Sequence, residues 1–149
     1  MLRQILFGAG INLANIAIHA IAMVAILRSR RTVHANVPLH PMLRLIGIMV
    51  TTVSILMAAH VLEITVWSIA YRLLNVTPEG TDTLYFAFVN YTTLGYGDVL
   101  PAARWRLLGP MAAMNGVLLF GWSTAVIFQV LWTTLSREDF RKSLEGDAQ

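Results

Sequence analysis

Long apolar segments alternate with short polar ones along the chain, and three of the apolar segments are long enough to cross a membrane. They run from about 5 to 27, from about 43 to 74 and from about 107 to 135. A helix crosses the hydrocarbon core of a bilayer with about 20 residues, so each segment predicts a membrane-spanning helix. The pattern therefore predicts an all-α membrane protein.

A fourth apolar segment, residues 82–91, lies between the second and third spanning helices. It is too short to span the bilayer, and Asp82 or Thr81 can cap its N-terminus. We therefore expect a helix that enters the membrane and returns without crossing it. The negative end of its dipole then points inward, where it favours a cation.

The polar segment Thr92–Asp98 follows this short helix and reads Thr-Thr-Leu-Gly-Tyr-Gly-Asp. Gly95 and Gly97 allow backbone angles that are closed to other residues, so successive carbonyls can point the same way. A row of carbonyl oxygens can replace the water shell of a cation, with the Thr93 hydroxyl at its inner end and the Asp98 carboxylate at its outer end. The pattern is typical of an ion selectivity filter.

This segment, the short helix before it, and Pro101, Trp105 and an apolar helix after it resemble potassium channels of the small prokaryotic type with two helices and a pore loop. The resemblance covers about 43 to 133, so the first helix is an addition. It implies K⁺ bound by the carbonyls of Thr93, Leu94, Gly95 and Tyr96 and by the Thr93 hydroxyl, with Thr92, Gly97 and Asp98 as filter support. One loop cannot surround an ion, so the resemblance also implies a homotetramer.

Two residues depart from the family pattern. Leu94 stands where valine or isoleucine is commoner, but the contact with the ion is a backbone carbonyl, so we expect selectivity to survive. Val89 stands where some relatives carry a glutamate that pairs with the aspartate at the outer end of the filter. Asp98 therefore needs another partner, or water.

The pattern divides the chain into three parts. Residues 1–42 hold the added helix and a basic cytoplasmic linker, 43–135 form the pore domain, and 136–149 form a short cytoplasmic tail. The pore domain comprises an outer helix (43–74), a pore helix (82–91), the filter (92–98) and an inner helix (107–135). The tail either begins a surface helix or continues the inner helix. Gly116 and Gly121 of the inner helix serve either as a gate hinge or as close-packing positions, and both readings stay open.

Composition and charge agree with a membrane location. Hydrophobic residues make up 56% of the chain and charged residues only 13%, which soluble domains do not show. The chain has a net charge of +3 and no cysteine; its basic residues flank the apolar segments instead of forming a nucleic-acid-binding face. Their distribution predicts an outside N-terminus and a cytoplasmic C-terminus. A compact chain without cysteine indicates a plasma membrane of the bacterial inner-membrane kind. A signal peptide is the competing reading of the first segment, but more basic residues follow it than precede it.

Ionisable and amide side chains inside the apolar segments are costly and call for partners. His60 and Glu63 share one face of the second helix, and Asn12, Asn15 and His19 share one face of the first. Counting about 1.5 Å per residue from the cytoplasmic arginines gives the depth of each residue in the membrane. By this count Asn12 and Asn15 lie nearer to the level of His60 and Glu63 than His19 does. We call each of these two polar faces a stripe, and we expect the two stripes to hold the first helix against the pore domain. His60 and Glu63 are read either as a buried hydrogen-bonded pair or as a proton-sensitive latch.

The function expected from these features is passive, potassium-selective conduction. No phosphate-binding loop, metal-ligand cluster or nucleophile with its base indicates an enzyme. A poorly selective cation channel and a non-conducting membrane sensor or assembly subunit are the alternatives. The tail is too short for a ligand-binding domain, so gating by a ligand would need a separate, unidentified partner.

Overall fold

The computed structural model describes the backbone of residues 1–36 and 41–146, and the side chains of residues 1–29 and 42–136. These residues form four α-helices and one turn of 3-10 helix, and they contain no β-strand: α1 Leu2–Asn36, α2 Pro41–Leu73, α3 Thr83–Tyr91, the 3-10 turn Ala103–Trp105, and α4 Leu108–Gly146. The predicted all-α class is confirmed.

Three helical segments are long and apolar enough to cross a membrane, namely Leu2–Ser29, Met42–Leu73 and Ala103–Ser136. Large apolar side chains along them face away from the helix bundle; Leu13 and Phe128 are 66% and 64% exposed. Such a surface suits lipid tails, which are as apolar as the side chains themselves. The prediction of three membrane-capable helices is confirmed.

The first helix is longer than its apolar segment. We expected a helix over about 5–27 and a basic linker from residue 28, but α1 continues to Asn36. The apolar residues mark the part of a helix that lies in lipid. The helix itself can continue until a residue such as glycine or proline interrupts it. No glycine or proline occurs between Arg28 and Asn36, and arginine is a good helix former. Residues 37–40 of the expected linker lie outside the described residues.

The last helix also continues beyond its apolar segment. We expected the inner helix to end near residue 135, but α4 runs to Gly146. Of the two readings of the tail, the structure has the continued helix, through residues that include neither glycine nor proline before Gly146. Residues 147–149, and the basic side chains at 30–31 and 137–142 on which the predicted orientation largely rests, lie outside the described part of the chain.

The larger apolar core fixes the short helix α3 between α2 and the start of α4. The ring of Tyr71 lies 5.5 Å from that of Trp67 and 5.1 Å from that of Phe86, measured between ring centroids. The buried members of this core are Ile64, Trp67, Tyr71, Val76, Phe86, Ala87, Tyr91, Trp105, Leu108 and Ala112. The core thus holds the helix that precedes the predicted filter.

The helix α1 packs against α2 and α4 along its length. Near its N-terminus, the Gln4 side-chain oxygen accepts a hydrogen bond from the Leu107 backbone N–H at 2.9 Å. Near the opposite end of its membrane segment, Ile26 is buried in a second apolar core with Ile48, Leu56 and Val130. The first helix is therefore docked on the other helices and not merely tethered to them.

Candidate functional site

The short helix α3 has a well-defined start and is too short to span. Asp82 caps its N-terminus: one carboxylate oxygen accepts the backbone N–H groups of Leu84 at 2.9 Å and Tyr85 at 3.2 Å. Its nine residues span only about 13 Å. Its C-terminal carbonyl groups therefore end at the loop that follows.

The loop after α3 is held by its own backbone N–H groups. The N–H of Thr93 donates to the Asn90 carbonyl at 3.0 Å, and those of Leu94 and Gly95 donate to the Val89 carbonyl at 3.0 and 3.3 Å. These acceptors are carbonyls of the last turn of α3, which otherwise lack partners. The bonds fix the inner end of the predicted filter on the C-terminus of the pore helix.

The backbone of the loop alternates in conformation. Thr93, Gly95 and Gly97 have φ of 62°, 60° and 76°, whereas the two residues between them do not have positive φ. Alternating left-handed and ordinary conformations turn successive carbonyls to one side. A positive φ is rare for a β-branched residue such as Thr93 and costs about 1–3 kcal/mol, a strain that clusters at functional sites.

The carbonyl oxygens of residues 93–96 are free to take a ligand. No donor among the described residues is hydrogen-bonded to them. All residues from 92 to 98 are exposed in the single chain, with Tyr96 at 69% and Leu94 at 53%. Non-helical backbone at membrane depth does not occur against lipid, so this surface must line a wet pathway or be covered by protein.

Asp98 finds its partner on the pore helix. The Tyr85 hydroxyl donates to a carboxylate oxygen of Asp98 at 2.7 Å. This hydrogen bond to a negative charge raises the pKa of the Tyr85 hydroxyl. Tyr85 lies four residues before Val89 on the same helix face, so Asp98 has a pore-helix partner without the glutamate that the sequence resemblance led us to look for at Val89.

The two glycines proposed as hinges lie in different surroundings. A Cβ on Gly116 would overlap the backbone carbonyl oxygen of Tyr91 and would lie 3.2 Å from its ring. A Cβ on Gly121 would meet no atom within 4 Å. Gly116 is thus a close-packing position against the end of α3, while Gly121 has no contact that explains a glycine there.

A buried cluster of polar side chains lies behind the pore helix. Glu63 is its centre: one carboxylate oxygen lies 2.9 Å from His19 Nδ1, and the other lies 2.9 Å from His60 Nδ1 and accepts from the Tyr91 hydroxyl at 2.5 Å. Ser123 Oγ lies 2.9 Å from His60 Nε2 and 3.4 Å from His19 Nε2. All five residues are buried. Together they join α1, α2, α3 and α4.

A second group of buried amides adjoins this cluster. The Asn15 side chain donates to the Asn115 amide oxygen at 2.7 Å and to the Glu63 backbone carbonyl at 3.2 Å. The Trp67 indole N–H donates to the same Asn115 oxygen at 3.1 Å. These contacts again connect α1, α2 and α4.

The structure corrects the expected depth of the stripe on α1. His19, expected to lie farther from Glu63 than Asn12, is in contact with it, whereas the buried Asn12 amide oxygen has no hydrogen-bond partner. The count assumed that Arg28 and Arg44 start at one level. His19 precedes Arg28 by nine residues and Glu63 follows Arg44 by nineteen. The two arginines therefore differ in depth by about ten residues, roughly 15 Å.

Tyr91 and Ser123 were not predicted as members of the cluster, although the sequence predicts that Ser123 either lines the cavity or bonds to a neighbouring helix. Ser123 is a hydroxyl residue in an apolar segment, which is a usable signal for a buried partner. Tyr91 sits among the aromatic residues of α3, where nothing in the sequence separates it from Tyr85. Only the packing of α3 against α2 decides which tyrosine hydroxyl points inward.

These features define the class of membrane proteins that carry a short helix and an extended loop between two spanning helices. Residues 59–133, half of the chain, match the family described as ion channel. The chain therefore belongs to this ion channel family, whose role is transport across the membrane and not catalysis. No curated protein and no solved structure matches the chain. The match includes the pore helix, the loop and most of the membrane part of α4, while α1 lies outside it.

Proposed function

We propose that the protein is a potassium-selective channel that conducts K⁺ passively down its electrochemical gradient. The observation that carries the proposal is the loop backbone, in which Thr93, Gly95 and Gly97 have positive φ at alternate positions. Carbonyls turned to one side, to which no described residue donates a hydrogen bond, offer a dehydrated cation an oxygen shell in place of water.

The K⁺ ligands in this proposal are the backbone carbonyls of Thr93, Leu94, Gly95 and Tyr96, together with the Thr93 hydroxyl. Thr92 and Gly97 flank this row, and Asp98 adds negative charge at its outer end. The hydrogen bond from Tyr85 to Asp98, 2.7 Å long, supports the outer end against the pore helix. Because the Leu94 contact is made by the backbone, its longer side chain is compatible with the same ion.

The filter requires four copies of the chain. One loop supplies one side of a ring of oxygens, and cyclic symmetry closes the ring with identical surfaces. The exposure of Tyr96 at 69% and of Leu94 at 53% supports this, since polar backbone beside them cannot face lipid. We propose a homotetramer in a bacterial inner membrane, with the N-terminus outside and the C-terminus in the cytoplasm. Gating by a ligand would require a separate partner protein.

Selectivity is tested by reconstituting the purified protein in liposomes under opposed K⁺ and Na⁺ gradients. We expect the current to reverse near the K⁺ equilibrium potential. In Gly95→Ala this selectivity should be lost, because alanine at a φ of 60° costs about 1–2 kcal/mol and opposes the alternation. Gly47→Ala is the matched control, since a Cβ on this helical glycine meets no atom within 4 Å.

The other two functions give different results. A wild-type reversal potential near zero would identify a poorly selective cation channel. If the wild type passes no current, its unfolding temperatures in K⁺ and in Na⁺ distinguish the remaining two functions. An ion that binds only the folded filter stabilises the folded protein and raises its unfolding temperature. Equal unfolding temperatures in a silent protein would contradict the proposal and favour a non-conducting subunit.

A further inference from the structure

Four residues of the buried cluster form a closed ring of polar contacts. Starting at Glu63, the ring passes from one carboxylate oxygen to His19 Nδ1 (2.9 Å), from His19 Nε2 to Ser123 Oγ (3.4 Å), from Ser123 Oγ to His60 Nε2 (2.9 Å), and from His60 Nδ1 to the other oxygen of Glu63 (2.9 Å). Every polar atom of the two imidazoles takes part. We call these four residues the proton ring.

A count of hydrogen atoms shows what this ring needs. Each of its four contacts requires one hydrogen. Two neutral histidines and one serine hydroxyl supply three, and an ionised Glu63 supplies none. One contact would then join two acceptors, and the buried ring would carry an uncompensated negative charge, which is costly.

One additional proton satisfies both the contacts and the charge. With one histidine as imidazolium, four hydrogens serve four contacts, and Ser123 donates to one imidazole while it accepts from the other. The positive imidazolium and the negative Glu63 then cancel. With a further proton, both imidazoles would donate to Ser123, whose own hydrogen would then have no partner in the ring, and a net positive charge would remain. A protonated Glu63 with two neutral histidines would supply the same four hydrogens, but His19, His60 and Tyr91 all lie within hydrogen-bond distance of this carboxylate, and several donors favour its ionised form. The arrangement therefore fits one proton, shared between His19 and His60.

We propose that the proton ring of His19, Ser123, His60 and Glu63 binds a single exchangeable proton whose presence controls how the pore helix is held. Tyr91 is the link: its hydroxyl donates to Glu63, and its backbone carbonyl lies against Gly116. It is the last residue of α3, directly before the loop. Loss of the proton weakens the hydrogen bonds that connect α1, α2 and α4 to this end of the pore helix.

The groups that face the proton ring support a single binding event. Among the residues whose side chains are described, Tyr91 on α3 is the ionisable group outside the ring that contacts it. Asn15 on α1 and Asn115 on α4 are neutral neighbours. The rings of Trp122 and Phe120 lie 5.1 Å from His19 and 4.6 Å from His60, measured between centroids, so the remaining surroundings there are apolar. Such surroundings penalise any state with net charge.

A divalent metal ion is the competing occupant, since donor atoms of His19, His60 and Glu63 all lie within 4.8 Å of one another. The contacts favour a proton. The two imidazoles each approach a different oxygen of one carboxylate at 2.9 Å, which is a hydrogen-bond length. Binding of one ion by both would require them to leave those oxygens and converge on one point.

The proton count can be measured without any current. Histidine-selective ¹⁵N labelling and solid-state NMR of the full-length protein in bilayers distinguish imidazolium from neutral imidazole. The chain has four histidines, so His19→Gln and His60→Gln assign the two ring signals. At neutral pH we expect the imidazolium fractions of His19 and His60 to sum to about one. In Glu63→Gln this sum should fall to about zero, because the balancing charge is gone.

A milder variant protects the test against misfolding. Ser123→Ala removes two of the four contacts and leaves both histidines and Glu63 in place. We expect about a tenfold change in the proton affinity of the ring. Thr65→Ala is the matched control, because it also removes a hydroxyl from a spanning helix; among the described residues, that hydroxyl bonds only to the Val61 carbonyl of its own helix. It should leave the affinity unchanged.

The outcomes separate this inference from the proposed function, on which only its regulatory part rests. Imidazolium fractions that sum to zero or to two would overturn the proton ring, whatever the protein conducts. Displacement of the shared proton by added Zn²⁺ at equimolar concentration would replace it with a metal site. If Ser123→Ala shifts the proton affinity by NMR but not the pH profile of the K⁺ current, the control of the pore helix is overturned.

Discussion

The close contact between Gly116 and the end of the pore helix makes a sharp prediction about α4. In Gly116→Ala, the new methyl group would overlap the backbone carbonyl oxygen of Tyr91. A carbonyl at a helix end cannot move aside as a side chain does, because the loop that follows is bonded to the same turn of α3. We therefore expect the variant to be destabilised and the pore helix to shift.

The magnitude follows from comparison with Gly121→Ala in the same helix. Both substitutions replace glycine by alanine and gain about 1 kcal/mol of helix propensity, so this gain cancels between them. Only Gly116→Ala creates an overlap, and overpacking of this kind costs about 1–3 kcal/mol. At about 2–4 °C per kcal/mol for a chain of this size, Gly116→Ala should unfold roughly 2–12 °C below Gly121→Ala.

The assay is thermal unfolding in detergent micelles, followed by tryptophan fluorescence at one scan rate for both variants. Equal unfolding temperatures would refute the packing role of Gly116. The same pair separates packing from bending: if Gly121 is the hinge, Gly121→Ala reduces channel opening while its stability is unchanged or higher.

Three further predictions concern the ends of the pore helix and the docking of α1. The Asp98 carboxylate raises the pKa of Tyr85, so Asp98→Asn should shift the tyrosine titration seen by ultraviolet absorbance to lower pH; a titration unchanged from wild type would contradict the contact. Asp82→Ala should lower the free energy of unfolding by about 0.5–2 kcal/mol through loss of the N-cap, and Asp82→Asn should retain most of it in the same denaturant assay. A Cβ on Gly8 would overlap the flexible end of Met111 and make ordinary contact with Leu108, so the unfolding temperature of Gly8→Ala should fall less than that of Gly116→Ala; an equal fall would show that α1 docks rigidly there.

Much of the fold could be predicted because a membrane reduces the choices. A run of 20 or more apolar residues indicates a spanning helix, and Asp82 indicates where the short helix begins. The helix ends could not be predicted in the same way. Apolarity stops near residue 27, but the helix continues to Asn36, because arginine and alanine favour the helical conformation in water.

The candidate site could be predicted in part. The residue type of Gly95 and Gly97 predicts a positive φ. Thr93 also has a positive φ, which a threonine disfavours, and only the hydrogen bonds of the loop explain it. Spacing places His60 and Glu63 on one face, but it cannot give the register between two helices. The register between two helices depends on the membrane depth at which each helix starts. The extension of α1 beyond its apolar segment changes that depth.

The buried polar side chains are what sets the register of α1 on the pore domain. Apolar contacts cannot do so in a bilayer, because lipid tails offer nearly the same contacts at every position. A slide of α1 by one turn, about 5.4 Å, would instead remove the Asn115 contact from Asn15 and the Glu63 contact from His19. Each buried group left without its partner costs about 1–3 kcal/mol, and more where it is charged. The carboxylate that sets the register of the added helix therefore also accepts a hydrogen bond from the hydroxyl of the last pore-helix residue. The docking of α1 and the position of the pore helix are thus coupled.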